Sequence, residues 1–378
     1  MRAGRAPVSD TVEHGPKPAW RRWWRRVIVA IAGLGAAAAL AAHVLPSLQR
    51  APMTPTRFPL PTGWTVRWYQ WAQPGVMVLQ YEESGASRAT IRLDTRTGAV
   101  TPLGLDDRIE RQLDPDFGCS ALSPDGEWLL LRGKVVQLTG ARRIVPIALR
   151  RTGFEPLDLG PCRGLRWLPN GQGWMAWGMD FRPDRPPATL SDHTDLKRSD
   201  FPEEHGGGSP AVSEYTLQDE WDIIGVIAPD RAVMLSPARR ASMSGGATVR
   251  LCRFGTTLTT LSQYALRVPG LWRVVDGAVS PDGRRLCWIT LREPSGTRSD
   301  GLITSMWPRG DAVVDVWVSA IDGNGLRRIA DLALPGVPYE AIQVRHRIEW
   351  LPRGLQWIPG EERVSFLWSG RLWAVGTR

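Results

Sequence analysis

A four-residue turn occurs twice in this chain, as Ser123-Pro124-Asp125-Gly126 and as Ser280-Pro281-Asp282-Gly283. Each copy is entered by a short apolar run, Ala121-Leu122 or Ala278-Val279. Each is left by a longer one, Trp128 to Leu131 or Leu286 to Ile289. Two apolar runs joined by such a turn make a β-hairpin. Proline pre-sets φ at the first central position, aspartate bonds its own backbone, and glycine takes the left-handed position that closes a type I turn with a bulge. Two hairpins so alike and so far apart indicate a repeat, and a repeat restricts the architecture more than any local signal does.

Looser copies fill the gaps. Pro74-Gly75, Pro169-Asn170-Gly171, Pro229-Asp230 and Pro359-Gly360 each precede an apolar run. A second kind of turn alternates with them at Thr97-Gly98, Thr152-Gly153, Phe254-Gly255 and Asp322-Gly323. The unit is therefore four strands: first strand, tight turn, second strand, connection, third strand, tight turn, fourth strand. Its spacing exceeds the roughly 40 to 45 residues of a four-stranded propeller blade, so insertions must carry the excess. The last two strands of the third unit are expected within 211–224. In the last unit, 371–376 reads as a third strand, so its fourth is expected from the N-terminal side, from 56–60 or 64–68.

The Ser-Pro-Asp-Gly turns, with Asp322-Gly323-Asn324-Gly325 closing the fifth unit, resemble the TolB-like propellers. The resemblance spans residues 63–378. It implies an all-β fold, a six-bladed β-propeller with seven blades as the alternative, used mostly for binding proteins.

The net charge of +9 invites a nucleic-acid reading, but most of it sits in the first 50 residues. There Arg2, Arg5, Lys17, Arg21, Arg22, Arg25, Arg26 and Arg50 face only Asp10 and Glu13. The remainder is close to balanced and holds no nucleic-acid-binding module, so no nucleic-acid partner is expected. Residues 27–45 carry no formal charge and would span about 28 Å as a helix, close to the hydrocarbon thickness of a bilayer. With the arginines before it, this stretch predicts a single transmembrane signal-anchor behind a cytoplasmic basic tail, 1–26. A proline-rich linker, 46–62, follows it, and the propeller, 63–378, lies in the periplasm or outside. Inner-membrane localisation follows. The competing reading is a cleaved signal at Ala39-Leu40-Ala41 and a secreted propeller that binds a glycan, peptide or small ligand in its channel.

The surplus sequence is concentrated in four connections, 106–116, 181–210, 292–311 and 331–352. All four join either second to third strands or one unit to the next, which places them on one face. Loops on a rigid scaffold are where binding usually resides, so this face is the expected protein-binding surface. Its acidic residues, Asp106, Asp107, Glu110, Asp114 and Asp116, with Asp192, His193, Asp195, Glu203 and Glu204, are the candidate contacts for a basic partner. Their spacing matches no calcium loop or metal helix, so no metal is assigned. Cys119 and Cys162 enter neighbouring blades and form the candidate disulfide. Cys252 with Cys287 is a second pairing, and small buried thiols are the alternative to both.

No Gly-x-Ser-x-Gly elbow, phosphate loop or dinucleotide fingerprint is present, and five histidines make a triad hard to assemble. The expectation is a non-catalytic scaffold with no cofactor, an accessory subunit of a larger membrane or envelope complex. An enzyme using channel-mouth carboxylates is the third reading.

Overall fold

A computed structural model describes residues 52–83, 88–113, 120–131, 134–140, 143–146, 164–171, 173–177, 194–200, 212–217, 221–236, 247–292, 311–338 and 350–378. They form six four-stranded antiparallel sheets. Sheet one is Trp64–Gln73, Val76–Glu83, Arg88–Asp94 and Val100–Pro102. Sheet two is Ala121–Leu122, Trp128–Leu130, Lys134–Gln137 and Ile144–Pro146. Sheet three is Gly164–Trp167, Gly173–Trp177, Thr194–Asp200 and Val212–Leu217. Sheet four is Asp222–Ala228, Arg231–Ser236, Ala247–Phe254 and Leu258–Leu266. Sheet five is Leu271–Val279, Arg285–Arg292, Asp311–Ala320 and Arg327–Pro338. Sheet six is Arg353–Trp357, Arg363–Trp368 and Arg371–Gly376, completed by Thr56–Arg57.

The first strands of successive sheets touch in chain order, and the first strand of sheet six touches that of sheet one. The sheets therefore radiate from a closed ring of inner strands, which is an all-β propeller. Closure is covalently out of sequence: Thr56 pairs with Ala374 and Arg57 with Trp373. Of the two segments expected to close the ring, 64–68 instead belongs to the first strand of sheet one. Met53 continues the seam, bridging to Ala330 and donating its N–H to the carbonyl of Ile329 at 2.7 Å.

The core lies between sheets, not within one. Leu168 and Met175 pack on Ile223, Met234 and Phe254 of the next sheet, and Phe366 and Val375 pack on Val314, Val316 and Leu334. Because both faces of each sheet are covered, a second strand such as Arg285–Arg292 is buried without alternation, from Leu286 to Leu291. Burial on both faces produces such continuous apolar runs.

Both Ser-Pro-Asp-Gly turns have the expected geometry. Gly126 and Gly283 sit at φ 75° and 69°. In the second copy the Gly283 N–H donates to the carbonyl of Ser280 at 2.8 Å, and Ser280 N–H to that of Arg285 at 2.9 Å. The Ser280 hydroxyl donates to Asp282 Oδ1 and accepts the Arg285 N–H, so serine and aspartate brace the turn from inside. Ser123 and Asp125 repeat the same bonds.

Three connections differ from expectation. Sheet three finds its third strand at Thr194–Asp200 and its fourth at Val212–Leu217, so 181–210 is not one loop and the last two strands are not confined to 211–224. The stretch 106–116 contains a helix, Asp107–Leu113, whose Ile109 and Leu113 enter the core. The fourth strand of sheet five runs to Pro338, which shortens the connection expected at 331–352. Among the described residues no helix is long and apolar enough to cross a membrane; the expected anchor, 27–45, lies outside them.

Candidate functional site

Two regions of the ring hold the chemistry: the inner strands and the end of the sheets from which the long connections leave. On the inner strands, polar side chains reach forward to the backbone of the next sheet. The Gln70 side-chain oxygen accepts the N–H of Leu122. Gln356 Oε1 accepts the N–H of Trp71 at 3.1 Å, and its Nε2 donates to the carbonyl of Tyr69 at 3.0 Å. Asp276 Oδ2 accepts the N–H of Leu355 at 2.8 Å. Breaks in register at Val66/Trp68, Val274/Asp276 and Arg353/Gln356 lie on these same strands. Such bulges re-aim side chains out of the pleat.

Tryptophans one position later reach backward. Trp167 Nε1 donates to the carbonyl of Ala121 at 2.8 Å, Trp357 Nε1 to that of Ala278 at 3.2 Å, and Trp71 Nε1 to Ser365 Oγ at 2.9 Å. Gln70-Trp71 and Gln356-Trp357 are thus paired devices, one residue bonding ahead and the next filling behind. The sequence held a signal for them: a tryptophan two or three positions before the proline of three of the four looser turns, Pro74, Pro169 and Pro359, each directly after a polar residue. In the two Ser-Pro-Asp-Gly copies the tryptophan position is Ala121 or Ala278, the small residues that receive those indoles.

Electrostatics in the ring follow burial. Asp276 has its carboxyl pushed up by burial, against the opposing N–H of Leu355 and the charge of Arg166. Burial also raises Tyr69, whose hydroxyl donates to the carbonyl of Gly354 at 2.6 Å. The Cys287 thiol is raised by burial and then by the nearby Asp276. Cys287 and Cys252 are both buried and both free, which corrects the second disulfide pairing and matches the buried-thiol alternative.

At the long-connection end, Glu110 is turned inward instead of facing a partner. It is 7% exposed. Gln80 Nε2 donates to its Oε2 at 2.7 Å, and the Thr90 N–H donates to its Oε1 at 3.1 Å. The Thr90 hydroxyl donates to Oε2 as well. The carboxylate is a latch that ties the helix to sheet one. Asp106 caps the helix, accepting the Ile109 N–H at 2.8 Å, and stays exposed with Asp107. Arg108 and Arg111 are exposed beside them, so the visible part of this stretch is mixed in charge and not an acidic patch.

A second anchor stands where the connection 293–310 leaves sheet five. Arg292 pairs with both oxygens of Asp315, which is only 3% exposed, and reaches Asp331 at 3.3 Å. Arg328 joins Asp315 at 3.3 Å. The bond to Asp315 holds the Arg292 guanidinium well above its ordinary range.

Asp195 belongs to the third strand of sheet three. Asp192 and His193, in the connection 178–193, and Glu203 and Glu204, in 201–211, lie outside the described residues, as do Asp114, Asp116, Cys119 and Cys162. The strand order still corrects their grouping. Residues 178–193 join second strand to third, whereas 201–211 join third to fourth, so the two acidic segments leave from opposite ends of the sheet. Among the described residues no three His, Cys, Asp or Glu side chains cluster as metal ligands.

The molecule is an all-β propeller. No family model and no curated protein matches the chain. Among solved structures it is similar to the gluconolactonase XC5397 from Xanthomonas campestris, at 11% identity over 86% of this chain and 98% of that one, TM-score 0.44. It is also similar to the Cps50 (Swd1) β-propeller domain of Myceliophteria thermophila, at 14% identity over 86% and 100%, TM-score 0.42. TolB from Acinetobacter baumannii matches at 14% identity over 71% of this chain and 54% of its own, TM-score 0.39.

Proposed function

We propose that this chain is a membrane-anchored, extracytoplasmic, six-bladed propeller. In this reading it is a non-catalytic protein-binding scaffold, an accessory subunit of a larger membrane or envelope complex. The observation that carries the reading is the distribution of connections. The long ones, 178–193, 237–246 and 293–310 between second and third strands, and 103–120, 147–163 and 339–352 between sheets, all leave from the same end of the sheets. The opposite end has tight turns, except at 201–211. A rigid ring that gathers its surplus sequence on one face is built to present that face.

The inner strands support the same reading, because Gln70, Gln356 and Asp276 spend their polar atoms holding neighbouring sheets together. The anchor at 27–45 supplies the membrane part of the proposal. The test is affinity recovery of the full chain from native membranes in gentle detergent, beside a chain in which 178–193 and 293–310 are replaced by short Gly/Ser links. Recovery of a stoichiometric membrane complex by the intact chain alone is the expected result. Equal recovery by both chains, or an intact chain that comes back unaccompanied, would overturn it. The helix Asp107–Leu113 must be left in place, since its latch is part of the core.

A further inference from the structure

The ring closes beside a cavity. After pairing with sheet six, the chain crosses from Arg57 to the first strand of sheet one at Trp64, and two prolines, Pro59 and Pro61, stiffen the crossing. Along it lies a cavity of about 320 Å³ whose walls include Phe58, Leu60, Trp64, Val66, Arg371 and Leu372. Arg57, Trp64 and Arg371 each stand where their strand meets the long-connection end of the sheets. The connections from second to third strand on either side, 369–370 in sheet six and 84–87 in sheet one, have only two and four residues.

The walls are mostly apolar, and Arg371 brings them a charge. It is half-buried and donates from Nη1 to the carbonyl of Trp64 at 2.8 Å. Among the described residues no carboxylate pairs with it, and Glu83, opposite Trp64 on the next strand, is no exception. Arg57, the other cation of the wall, lies over the Trp373 indole, 5.4 Å from its centroid. A guanidinium carries five N–H donors in a planar fork that matches a carboxylate, and most of them remain to Arg371 after its bond to Trp64. Half-burial also leaves its charge less screened by salt than one on the open surface.

We propose that this cavity binds a small organic acid, its carboxylate on Arg371 and its apolar body against Phe58, Leu60 and Leu372. The volume is at the lower end of the roughly 300–1,000 Å³ of small-molecule sites, which limits the body to a short alkyl chain or a single phenyl ring. The walls come from the crossing segment, sheet six and sheet one, so the bound acid ties all three together. A ligand that binds only the closed ring stabilises that ring. The site lies on the ring seam and uses no protein partner, so it goes beyond the scaffold reading and does not depend on it.

The test uses the full chain in detergent, with hexanoate and hydrocinnamate as probes and their amides as uncharged counterparts. Calorimetry should show saturable binding of an acid, about tenfold or more tighter than its amide, together with a raised melting temperature. Arg371→Gln should remove the preference for the acid and leave the affinity for the amide unchanged. Arg371→Lys, which keeps the charge but not the fork, should restore part of the preference. Leu60→Trp fills the cavity from a half-buried position and should abolish binding of acid and amide alike while keeping a cooperative melting transition. It reads the same site without touching Arg371.

No saturable binding of either acid, equal affinity for acid and amide, or an acid affinity unchanged in both Arg371→Gln and Leu60→Trp overturns the proposal. So does failure of both acids beside binding of a short peptide that ends in a free leucine carboxylate, which would assign the cavity to the chain terminus of another protein.

Discussion

The indole Nε1 of Trp357 donates to the backbone carbonyl of Ala278 at 3.2 Å, so the largest side chain of one inner strand fills the space beside one of the smallest on the strand before it. Arg285 lies over the same indole, 4.7 Å from its centroid, and covers it from the turn side. Trp357→Ala should cost about 3–5 kcal/mol of unfolding free energy, through the cavity and the carbonyl left without its donor. Ala278→Leu attacks the same contact by overpacking and should cost about 1–3 kcal/mol. Urea midpoints read both; a small effect from either would mean that the indole is not the wedge between sheets five and six.

Glycines in the tight turns separate two kinds of strain. Gly171 and Gly126 both have positive φ, but a Cβ on Gly171 would meet nothing within 4 Å, whereas one on Gly126 would lie 2.5 Å from the Cβ of Ala72 in the neighbouring sheet. Gly171→Ala should cost about 1–2 kcal/mol, the penalty of the left-handed conformation alone. Gly126→Ala should cost clearly more, and pairing it with Ala72→Gly should recover the excess. Equal costs for the two alanines would show that the close approach is relieved by movement of the sheet.

Glu110 and Asp107 are three residues apart on one helix and should behave as opposites. Glu110→Ala strands the Thr90 N–H and hydroxyl and takes from Gln80 Nε2 one of its two acceptors, the backbone carbonyl of residue 110 at 2.7 Å remaining; each group left unsatisfied costs about 1–3 kcal/mol, although relaxation will recover part of the sum. Asp107→Ala, on the exposed side, should fall within about 0.5 kcal/mol of the parent. If chemical denaturation ranks them the other way, the carboxylate faces solvent and the latch is absent.

Ring closure predicts a sharp boundary in an N-terminal deletion series. Removing residues 1–50 should leave the thermal transition of the remaining ring unchanged. Removing 1–60 deletes the pairing of Thr56 and Arg57 with Ala374 and Trp373, and the edge contact of Phe58 on Trp71 at 5.7 Å. That deletion should lower and broaden the transition. A gradual loss across the series would count against closure by this strand.

Acid sensitivity should pass through Glu362. Its carboxylate is held below the usual range first by its hydrogen bonds from Arg285, at 2.6 and 3.1 Å, which clasp sheets five and six. A depressed carboxylate adds stability that is present above its ordinary titration range and is lost as pH falls through the lowered folded-state value. The two side chains are 33% and 39% exposed, so the contribution of the pair is at most about 1 kcal/mol. Glu362→Gln should therefore lower stability at neutral pH by no more than this, and the difference from the parent should vanish in acid. A difference that persists below the titration range would point to packing and not charge.

What could be read along the chain was whatever depends on a few consecutive residues. Ser280-Pro281-Asp282-Gly283 is braced by hydrogen bonds that all begin and end within the hairpin, so its geometry was legible without a fold. The order of strands on either side of each turn followed, and with it the end of the sheets that carries most of the long connections. Glu110 was misread because its partners, Gln80 and Thr90, come from another element, and an acidic residue beside Asp106 and Asp107 looks the same in sequence whether it faces water or a buried amide.

The Gln-Trp pairs went unread, since Ala278 and Trp357 become complementary only when sheets five and six are brought side by side. The choice of Thr56–Arg57 over 64–68 as the closing strand belongs to the same class. Turn chemistry is a short-range property of the backbone, whereas burial and pairing depend on which distant segment arrives next to a residue, and the assembled ring settles that.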